Sequence, residues 1–284
     1  MARILIAGCG YVGSALAARL VEDSHQVWGL RRRPGVIAGG VERIEADLAV
    51  PGTLRDLPGG LDYVVYTAGP SGRDDALYRT AYVEGPMRLL EALERQAQNP
   101  RRMLFVSSTS VYGQSNGDWV DEGSPTEPEQ HTGRRLLEGE EVLRSGPFPS
   151  TVVRFAGIYG PRRTRLLDRV RSGRAIYVPG APRYTNRIHR DDCAGVLRHL
   201  LSQEEPLDLY IGVDDEPAPE DTVLSWVAGA LGAPAPRPAW AEEVKELARS
   251  TNKRCRNQRL VESGYSFRYP TYREGYTELI RELS

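Results

Sequence analysis

The sequence predicts an α/β fold built around a doubly wound parallel sheet, with a smaller part toward the C-terminus. Short apolar runs alternate with stretches of helical periodicity through the first half of the 284 residues. Strands that alternate with helices form parallel sheets with right-handed crossovers. Later in the chain proline and glycine become frequent, in "VPGAPRY", "EPAPE" and "GAPAPRPAW", which is typical of loops and linkers.

The first elements follow from the residue pattern. The apolar run "RILIAG" (3–8) predicts a strand, and Val12, Leu16 and Leu20 lie at the spacing of one helix face. The segments "HQVWGL" and "VERIEADL" alternate apolar and polar residues and predict the next two strands. The chain therefore opens as strand, helix, strand, strand.

The alternation continues further along the chain. "LDYVVYTAG" and "RRMLFVSS" predict buried strands. Residues 74–97 lie between them and predict one long helix, with Leu89, Leu90 and Leu93 facing inward. The segment "DLYIGV" (208–213) predicts a late strand that returns to the sheet.

The composition is that of an ordinary soluble globular protein, with 40% apolar and 26% charged residues. A net charge of -1 and a sequence pI of about 6.5 give no general attraction for nucleic acid or anionic membranes. No stretch approaches the roughly 18 apolar residues of a membrane span. Three scattered cysteines indicate neither a disulfide framework nor a metal site. We expect a cytoplasmic protein that acts on a small molecule.

A glycine pattern follows the first strand. Gly8, Gly10 and Gly13 have the spacing GxGxxG, directly between a predicted strand and a predicted helix. In this context the first glycine permits a tight turn, the second lets the backbone approach a pyrophosphate, and the third lets helix pack on strand. We therefore predict a dinucleotide site at this turn, with contacts also from Tyr11 and Val12.

The end of the second predicted strand distinguishes the two nicotinamide dinucleotides. A carboxylate there binds the ribose 2′-hydroxyl of NAD, but this chain has Arg31, Arg32 and Arg33 in "LRRRPG". Because guanidinium groups form charge-assisted bonds with a 2′-phosphate, the sequence favours NADP, with NAD as the alternative. Asp47 follows the third strand, where it either accepts from the adenine amino group or caps a helix.

The order of these blocks resembles a known family. From Gly8 through "YTAG", "FVSSTSVYG", "VVRFAGIYGP", "NRIHRDD" and "YPTYREGY", the chain resembles the extended short-chain dehydrogenases/reductases, the NAD-dependent epimerases and dehydratases that act largely on nucleotide sugars. The glycine loop is one residue shorter than usual, which is more similar to an atypical branch. The resemblance implies further cofactor contacts, at Leu48, Ala68, Gly69 and Ser107.

The resemblance also implies a division of the chain. It implies a Rossmann-type NAD(P)-binding domain over residues 1–155, to which strand segments near 187–213 return. Residues 156–186 and 214–284 are then the substrate-binding part. Long helices of this fold commonly pair in family dimers, so a homodimer is expected.

The catalytic helix of the family is altered in "EQHTGRRLLEGEE". In the family a Ser or Thr, here Ser108, orients the substrate hydroxyl. A Tyr about 25 residues later is the acid/base, and a Lys four residues after that Tyr lowers its pKa and binds the nicotinamide ribose. Counting 25 residues from Ser108 leads to Gly133, and no Tyr lies nearby.

Two alignments of this helix are open. An ungapped alignment of the glycines and glutamates puts Thr132 at the Tyr position and Leu136 at the Lys position. A shift by one residue puts His131 and Arg135 there instead. Neither alignment supplies a lysine.

The absence of this Lys matters for catalysis, because a free Tyr is only about 0.1% ionised at pH 7 and needs a cation beside it to act as a base. An imidazole ordinarily titrates near pH 6.5 and needs no adjacent cation to act as a base, so His131 is a candidate acid/base, with Arg135 beside it. The alternative is a surface histidine at a helix start. The family also has Asn where Tyr82 stands, at a position that supports its proton relay.

Substrate contacts are expected later in the chain. The resemblance implies that His189 lies near the substrate. Arg162, in "PRRTR", is suited to hold a phosphorylated or carboxylated substrate, with a solvated loop as the alternative. Tyr112 is a further candidate for substrate binding, although such a Tyr is more often a packing residue. "KRCRNQRL" and "YPTYREGY" are expected to form C-terminal helices, with Cys255 buried.

Two functional hypotheses follow. The first is an NADP-linked oxidoreductase or epimerase that uses Ser108 and an acid/base other than Tyr. The second is an NADP-binding sensor or regulatory protein in which catalysis is impaired. The late sequence blocks favour the first hypothesis, and the missing Tyr and Lys favour the second.

Overall fold

The structure, a computed structural model, describes residues 1–33, 39–180, 182–247 and 251–283. Pro34 and Gly35, which end the "LRRRPG" segment, lie outside these residues. The strands are β1 Arg3–Ala7, β2 Gln26–Arg31, β3 Val41–Glu45, β4 Tyr63–Tyr66, β5 Arg102–Ser108, β6 Asp118–Val120, β7 Ser150–Phe155, β8 Gly157–Tyr159, β9 Ile176–Tyr177, β10 Tyr184–Thr185, β11 Arg187–His189, β12 Leu209–Gly212, β13 Ala218–Pro219, β14 Arg237–Pro238 and β15 Lys253–Cys255.

Helices connect most of these strands. The α-helices are α1 Tyr11–Glu22, α2 Asp75–Arg79, α3 Gly85–Arg95, α4 His131–Arg144, α5 Arg165–Arg171, α6 Arg190–Ser202, α7 Glu220–Leu231, α8 Ala241–Leu247, α9 Gln258–Glu262 and α10 Tyr272–Leu283. Short 3₁₀ helices span Pro51–Leu54 and Thr109–Val111, and a π-helix spans Thr80–Glu84. None of the helices in the described ranges has the length and apolar character that a membrane crossing requires.

The chain divides into two compact units. The first unit consists of Met1–Val111, Thr126–Arg154 and Cys193–Tyr210, and the second of Tyr112–Pro125, Phe155–Asp192 and Ile211–Ser284. The division of the chain by function stays a prediction. It gives the cofactor to residues 1–155, with a return near 187–213, and the substrate to residues 156–186 and 214–284.

The first unit is organised by a seven-stranded sheet with the order β12-β7-β5-β4-β1-β2-β3. β1 pairs in parallel with β2 and β4, β2 with β3, and β4 with β5. Each strand predicted from the sequence is present, and "DLYIGV" enters the sheet as β12, which confirms the α/β fold class. The carboxyl ends of parallel strands share one edge of a sheet, where ligands bind in this architecture. That edge therefore carries the segments after β1, β4 and β5.

Apolar helix faces cover the sheet of the first unit. Val12, Leu16 and Leu20 of α1 are buried, as predicted. The inward leucines of α3 are also buried, with exposed fractions of 0% for Leu89 and 0% for Leu93. Removal of this apolar surface from water is the main stabilising contribution to such a core.

The helix predicted over residues 74–97 is interrupted, which corrects the expectation of one continuous α-helix. It forms as α2, the π-helical Thr80–Glu84, and α3. The Tyr66 hydroxyl donates to the Ala81 carbonyl over 2.5 Å. Gly85 makes room for that hydroxyl, since a β-carbon on Gly85 would lie 2.4 Å from the Tyr66 oxygen. The π-segment is thus stabilised by tertiary contacts that helical periodicity does not report.

Helix α4 packs directly against this π-segment. A β-carbon on Gly139 would lie 2.0 Å from the backbone oxygen of Tyr82, so only glycine permits the observed approach. The π-segment is therefore held on one side by β4 and on the other by α4.

The second unit has its own apolar core and several two-stranded sheets. β11 pairs with β8, β14 with β9 and β15 with β6 in parallel, while β10 and β13 are antiparallel. The core residues of this unit include Leu167, Val170, Val223, Leu224, Val227 and Leu279.

"KRCRNQRL" is only partly helical, which corrects the expectation for this segment. Lys253–Cys255 form β15, and α9 begins at Gln258. Lys253 and Cys255 are buried, whereas the guanidinium of Arg254 lies over the exposed Trp119 ring at 4.8 Å. This period-two alternation is that of a strand. The burial of Cys255 is as predicted.

We expect Gly139→Ala to lower the melting temperature by several degrees. The added methyl must displace backbone, and overpacking typically costs about 1–3 kcal/mol, each kcal/mol shifting Tm by roughly 2–4 °C in a chain of this size. Gly229→Ala is the matched control, because Gly229 lies in α7 with nothing near its β-carbon position. That variant should be as stable as the wild type or more so. Thermal unfolding by circular dichroism measures both, and equal melting temperatures would contradict the packing argument.

Candidate dinucleotide site and its surroundings

The three glycines of the turn after β1 occupy distinct environments in the first unit. Gly8 has a φ of +88°, and a β-carbon there would lie 2.4 Å from the backbone of Ala68. A β-carbon on Gly13 would lie 2.7 Å from Thr67 Oγ1. At Gly10 the nearest atom is 3.6 Å away. The first and third glycines permit close packing, while the second borders open space that a ligand can enter.

The turn also leaves the start of α1 available to an anion. Gly10 precedes the helix with no side-chain cap, and the first turn holds no acidic residue. Gly8 and Cys9 donate their backbone N–H groups to the Leu30 carbonyl at 3.0 and 2.9 Å, which fixes the turn against β2. The amides of Tyr11 and Val12 begin the twelve-residue helix, where the helix dipole favours negative charge. This geometry fits the pyrophosphate of a dinucleotide.

Arg31 and Arg32 follow the neighbouring strand. Arg31 is the last residue of β2, half-buried, and Arg32 is exposed. Burial raises the pKa of the Cys9 thiol, and the hydrogen bond with Ser14 and then the charge of Arg31 oppose that rise, so positive charge lies close to the glycine turn. Glu45 ends β3 in register with Arg31, and no ion pair joins the two within the described residues.

Asp47 and Leu48 lie after β3 in a compact turn. The Asp47 carboxylate accepts from the Ala49 N–H at 2.9 Å, and Thr53 donates its hydroxyl to the Asp47 carbonyl at 2.9 Å. This is an Asx turn and not a helix cap, because Val50 precedes the 3₁₀ helix Pro51–Leu54 and no side chain caps that helix. A contact of Asp47 with the adenine amino group stays a prediction. The Leu48 side chain is buried in the core, so cofactor contact from Leu48 would come from its backbone.

Ala68 and Gly69 follow β4, beside the glycine turn. Thr67 donates its hydroxyl to the Gly8 carbonyl at 2.9 Å. The structure thus brings the predicted cofactor residues after β1 and β4 together at one edge of the sheet.

Ser107 and Ser108 end β5, the next strand along that edge. Ser107 is buried and donates to Glu140 Oε1 at 2.6 Å. Ser108 is half-buried, and its Oγ accepts from the Ser110 N–H at 3.2 Å. Ser107 therefore faces the protein, and the hydroxyl hydrogen of Ser108 remains available to a ligand.

A buried ion pair connects Ser107 to helix α4. Arg154 of β7 donates from Nε and Nη2 to the two oxygens of Glu140, at 2.9 and 2.6 Å. Their side chains are only 5% and 1% exposed. The interaction is bidentate and charge-assisted, and it joins β5, α4 and β7.

The burial of Glu140 is a feature that the sequence prediction missed, although a signal was present. Gly133, Leu136, Glu140 and Leu143 follow one stripe of α4, and all four are buried. A carboxylate inside an apolar stripe indicates a buried partner, because unpaired buried charge is strongly unfavourable. The stripe alone did not indicate which arginine pairs with it.

The two alignments of α4 correspond to different faces of the helix. Leu136 is buried on the Glu140 face. His131 and Arg135 face α2 instead, where His131 Nε2 lies 3.0 Å from the Arg73 carbonyl and Arg135 binds both oxygens of Asp75 at 2.8 and 2.7 Å. No hydrogen bond joins His131 to Ser108 within the described chain.

The hydrogen-bond partners of these groups define which atoms are engaged. A carbonyl only accepts, so His131 Nε2 donates in this contact and Nδ1 is the ring nitrogen that the contact leaves unused. Arg135 also donates to both Glu138 oxygens at 2.8 and 2.9 Å. Hydrogen bonds to Asp75 and then Glu138 raise the pKa of Arg135, and the bond from Arg135 lowers the pKa of Asp75. The guanidinium therefore stays charged, and two carboxylates balance its positive charge.

The predicted substrate residues lie in the second unit. Tyr112 is completely buried, and its backbone carbonyl accepts from Lys253 Nζ at 3.0 Å. Arg162 is exposed in the left-handed region, with a φ of +67°. His189 is buried, with its ring centroid 4.1 Å from that of Tyr269. Burial lowers the pKa of His189 to about 4, against the opposing effect of Asp191, so its imidazole is neutral at pH 7.

The second unit also holds a buried carboxyl group that the sequence did not indicate. Asp214 is 2% exposed, and its Oδ2 has no hydrogen-bond partner among the described residues. Burial raises the pKa of Asp214 to about 8, and Arg187 opposes that rise. With a pKa of about 8, the buried Asp214 carboxyl group is mainly protonated and neutral at pH 7.

Comparisons with known proteins give one family. The model of the NAD dependent epimerase/dehydratase family matches residues 4–212. Protein YeeZ of Escherichia coli strain K12 is 31% identical over 221 residues, which cover 74% of this chain and 77% of YeeZ. A solved structure from Methylobacillus flagellatus, described as a candidate NAD-dependent epimerase/dehydratase, is 36% identical, with a TM-score of 0.81 over 99% of this chain and 98% of that one.

A more distant structure has the same fold. Human epimerase family protein SDR39U1, solved with NADPH, is 23% identical with a TM-score of 0.81, and the match covers 98% of this chain and 99% of the human one. The matched family region includes the glycine turn and the end of β5.

We expect Arg154→Met to destabilise the protein by about 3–5 kcal/mol, because it leaves the Glu140 carboxylate buried and unpaired. The double variant Glu140→Leu/Arg154→Met should recover most of this loss, since it removes both charges. Urea denaturation followed by far-UV circular dichroism measures the difference. Arg144→Ala is the control, because it breaks an exposed pair with Glu141 of small expected value. A double variant as unstable as Arg154→Met would contradict the assignment.

Proposed function

The chain belongs to the NAD-dependent epimerase/dehydratase family, and from that membership we propose that it binds NADP at the glycine turn of its first unit. We propose further that it is an oxidoreductase or epimerase acting on a small hydroxyl or carbonyl compound, with nucleotide-sugar-like compounds as one class. The observation that carries the proposal is the turn itself. Gly8 and Gly13 are packed too closely for any side chain, while Gly10 borders open space in front of an uncapped helix.

The preference for NADP rests on the end of β2. Arg31 stands where NAD-binding proteins have a carboxylate, with the exposed Arg32 next to it. A 2′-phosphate would receive charge-assisted hydrogen bonds from these guanidinium groups. NAD stays the alternative, because the carboxylate of Glu45 ends the adjacent strand.

Ser108 and His131 are the proposed catalytic groups. The nicotinamide supplies or accepts hydride when bound, and that chemistry belongs to the cofactor. Ser108 would orient the substrate oxygen with its free hydroxyl hydrogen. His131 would accept a proton at Nδ1 without an adjacent cation. Arg135 would support α4 through Asp75 and not bind the ribose, since both carboxylates already engage it.

A second candidate function is favoured by the contacts of α4. His131 and Arg135 are engaged by Arg73, Asp75 and Glu138, and Leu136 is buried. A protein with this helix would bind the dinucleotide and report its presence without turnover. We therefore keep an NADP-binding sensor or regulatory protein as the alternative.

The substrate part, location and assembly extend the proposal. Tyr112, Arg162 and His189 are proposed to act on the substrate side, with Tyr112 contributing through packing because it is fully buried. A cytoplasmic homodimer without nucleic-acid or membrane partners completes the proposal.

We expect NADPH to bind more tightly than NADH. The double variant Arg31→Ala/Arg32→Ala should raise the Kd for NADPH by about 10- to 100-fold. The reason is the loss of charge-assisted bonds worth about 1.5–3 kcal/mol. NADH affinity should stay unchanged. Titration by nicotinamide fluorescence gives each Kd, and Arg95→Ala, an exposed arginine at the end of α3, is the control. Equal affinity of the wild type for both cofactors would exclude the arginine argument, and binding of neither would exclude the dinucleotide site.

We expect Ser108→Ala and His131→Ala each to reduce NADPH-dependent turnover by at least about 100-fold, the range for loss of acid–base or orienting groups. A panel of small carbonyl compounds and sugar nucleotides, followed at 340 nm, provides the assay. Tyr112→Phe should retain activity. If the wild type binds NADPH and turns over no compound of the panel, the sensor function is supported instead. If the wild type is active and Ser108→Ala is equally active, the catalytic assignment of Ser108 is wrong.

A further inference from the structure

Tyr82 is a polar residue near the candidate site to which the catalytic assignment gives no role. It lies in the π-helical Thr80–Glu84, between α2 and α3. Its ring contacts those of Tyr78 and Phe105, at centroid distances of 5.6 and 6.5 Å. Tyr78 in turn contacts His131 at 5.6 Å. The aromatic ring is thus held on two sides, and its position is defined by packing.

The hydroxyl group of Tyr82 is directed toward the loop after β4. A β-carbon on Gly69 would lie 3.6 Å from the Tyr82 hydroxyl oxygen. Tyr82 is half-buried, and its hydroxyl has no hydrogen-bond partner among the described residues. A partly buried phenol hydroxyl normally finds a partner, so this one is available to a ligand that lies along Gly69.

The backbone beneath this side chain is fixed. The Tyr66 hydroxyl donates to the Ala81 carbonyl, and Gly139 of α4 packs on the Tyr82 carbonyl. Both contacts hold the π-segment, which changes the direction in which residue 82 points relative to an uninterrupted α-helix. Short π-segments often occur at functional positions.

The strand order indicates which half of a dinucleotide would pass Tyr82. Along the carboxyl edge the order is β5, β4, β1, β2, β3. Arg31 at the end of β2 marks the adenosine side, and the glycine turn after β1 marks the pyrophosphate. Gly69 follows β4, on the opposite side of the turn from Arg31. A ligand that continues past the pyrophosphate therefore reaches Gly69 and Tyr82 with its nicotinamide half.

The charge state of Tyr82 allows it to donate a hydrogen bond. Burial, followed by the neighbouring Tyr78, raises the pKa of Tyr82 to about 12. The phenol consequently stays protonated at neutral pH, and its O–H can donate to an oxygen acceptor.

We propose that the Tyr82 hydroxyl donates a hydrogen bond to the nicotinamide-ribose half of the bound dinucleotide, in place of contacts from the missing Tyr and Lys of α4. The inference rests on the proposed dinucleotide function and deepens it. It assigns binding of the nicotinamide ribose to the π-segment Thr80–Glu84. In the family pattern that contact comes from the Lys of the helix that corresponds to α4.

The test compares a whole dinucleotide with its adenosine half. Tyr82→Phe removes only the hydroxyl and keeps the ring, and Tyr78→Phe is the matched control on the adjacent ring. Affinities for NADPH and for adenosine 2′,5′-bisphosphate are measured on the same full-length samples by calorimetry. We expect Tyr82→Phe to weaken NADPH about three- to tenfold, the range for one hydrogen bond, and to leave the bisphosphate unchanged. Arg31→Ala/Arg32→Ala should weaken both ligands.

The outcomes separate this inference from the proposed function. If Tyr82→Phe binds NADPH as the wild type does, the inference is wrong while the cofactor site stands. Equal weakening of both ligands by Tyr82→Phe, or weakening of NADPH by Tyr78→Phe as well, would show a general disturbance and also overturn it. If the wild type binds neither ligand, the cofactor proposal fails and the inference fails with it. Binding of the bisphosphate by the variant verifies that it is folded.

Discussion

The candidate site depends on the partial positive charge that the N-terminus of α1 presents to the open space at Gly10. The helix begins without a side-chain cap or an acidic residue in its first turn. Its backbone N–H groups therefore favour an anionic ligand. The surrounding packing preserves this state, because Gly8 lies against Ala68 and Gly13 against Thr67 too closely for a side chain. The neighbouring strands thus define the turn while leaving its middle glycine accessible.

A second constraint determines where helix α4 lies. The buried Glu140–Arg154 pair and the Ser107 hydroxyl join α4 to β5 and β7, and Gly139 lets α4 approach the backbone of Tyr82. An isolated buried pair is weak evidence for stability, since desolvation opposes the Coulombic gain. Its geometry nevertheless specifies one position for the helix, because any displacement would leave two charges unpaired. The altered residues at the start of α4 are therefore presented from a well-defined helix.

The sequence predicted those features that are set by local pattern. Strand and helix periodicity gave the central sheet, and the glycine spacing in "AGCGYVG" gave the turn whose three environments the structure distinguishes. The π-segment at Thr80–Glu84 could not be predicted in this way, because it depends on the Tyr66 hydroxyl and on Gly139, which are remote in sequence. The strand Lys253–Cys255 was not predicted, because its period-two pattern is only three residues long. Glu140 lay in a recognisable apolar stripe, but its partner Arg154 belongs to another strand.

The electrostatics of α4 restrict the proton chemistry that this site can support. A phenol acts as a base near neutral pH only beside a cation. The positive charge of Arg135 is already balanced by the carboxylates of Asp75 and Glu138. Tyr82 likewise has a raised pKa, caused by burial. A tyrosine restored to α4 would therefore lack the positive charge that lowers its pKa. The missing Tyr and the missing Lys thus belong to a single function, since the Tyr acts as a base only with the Lys beside it. In the enzyme that we propose, proton transfer would therefore use an imidazole such as that of His131, or a group of the substrate itself.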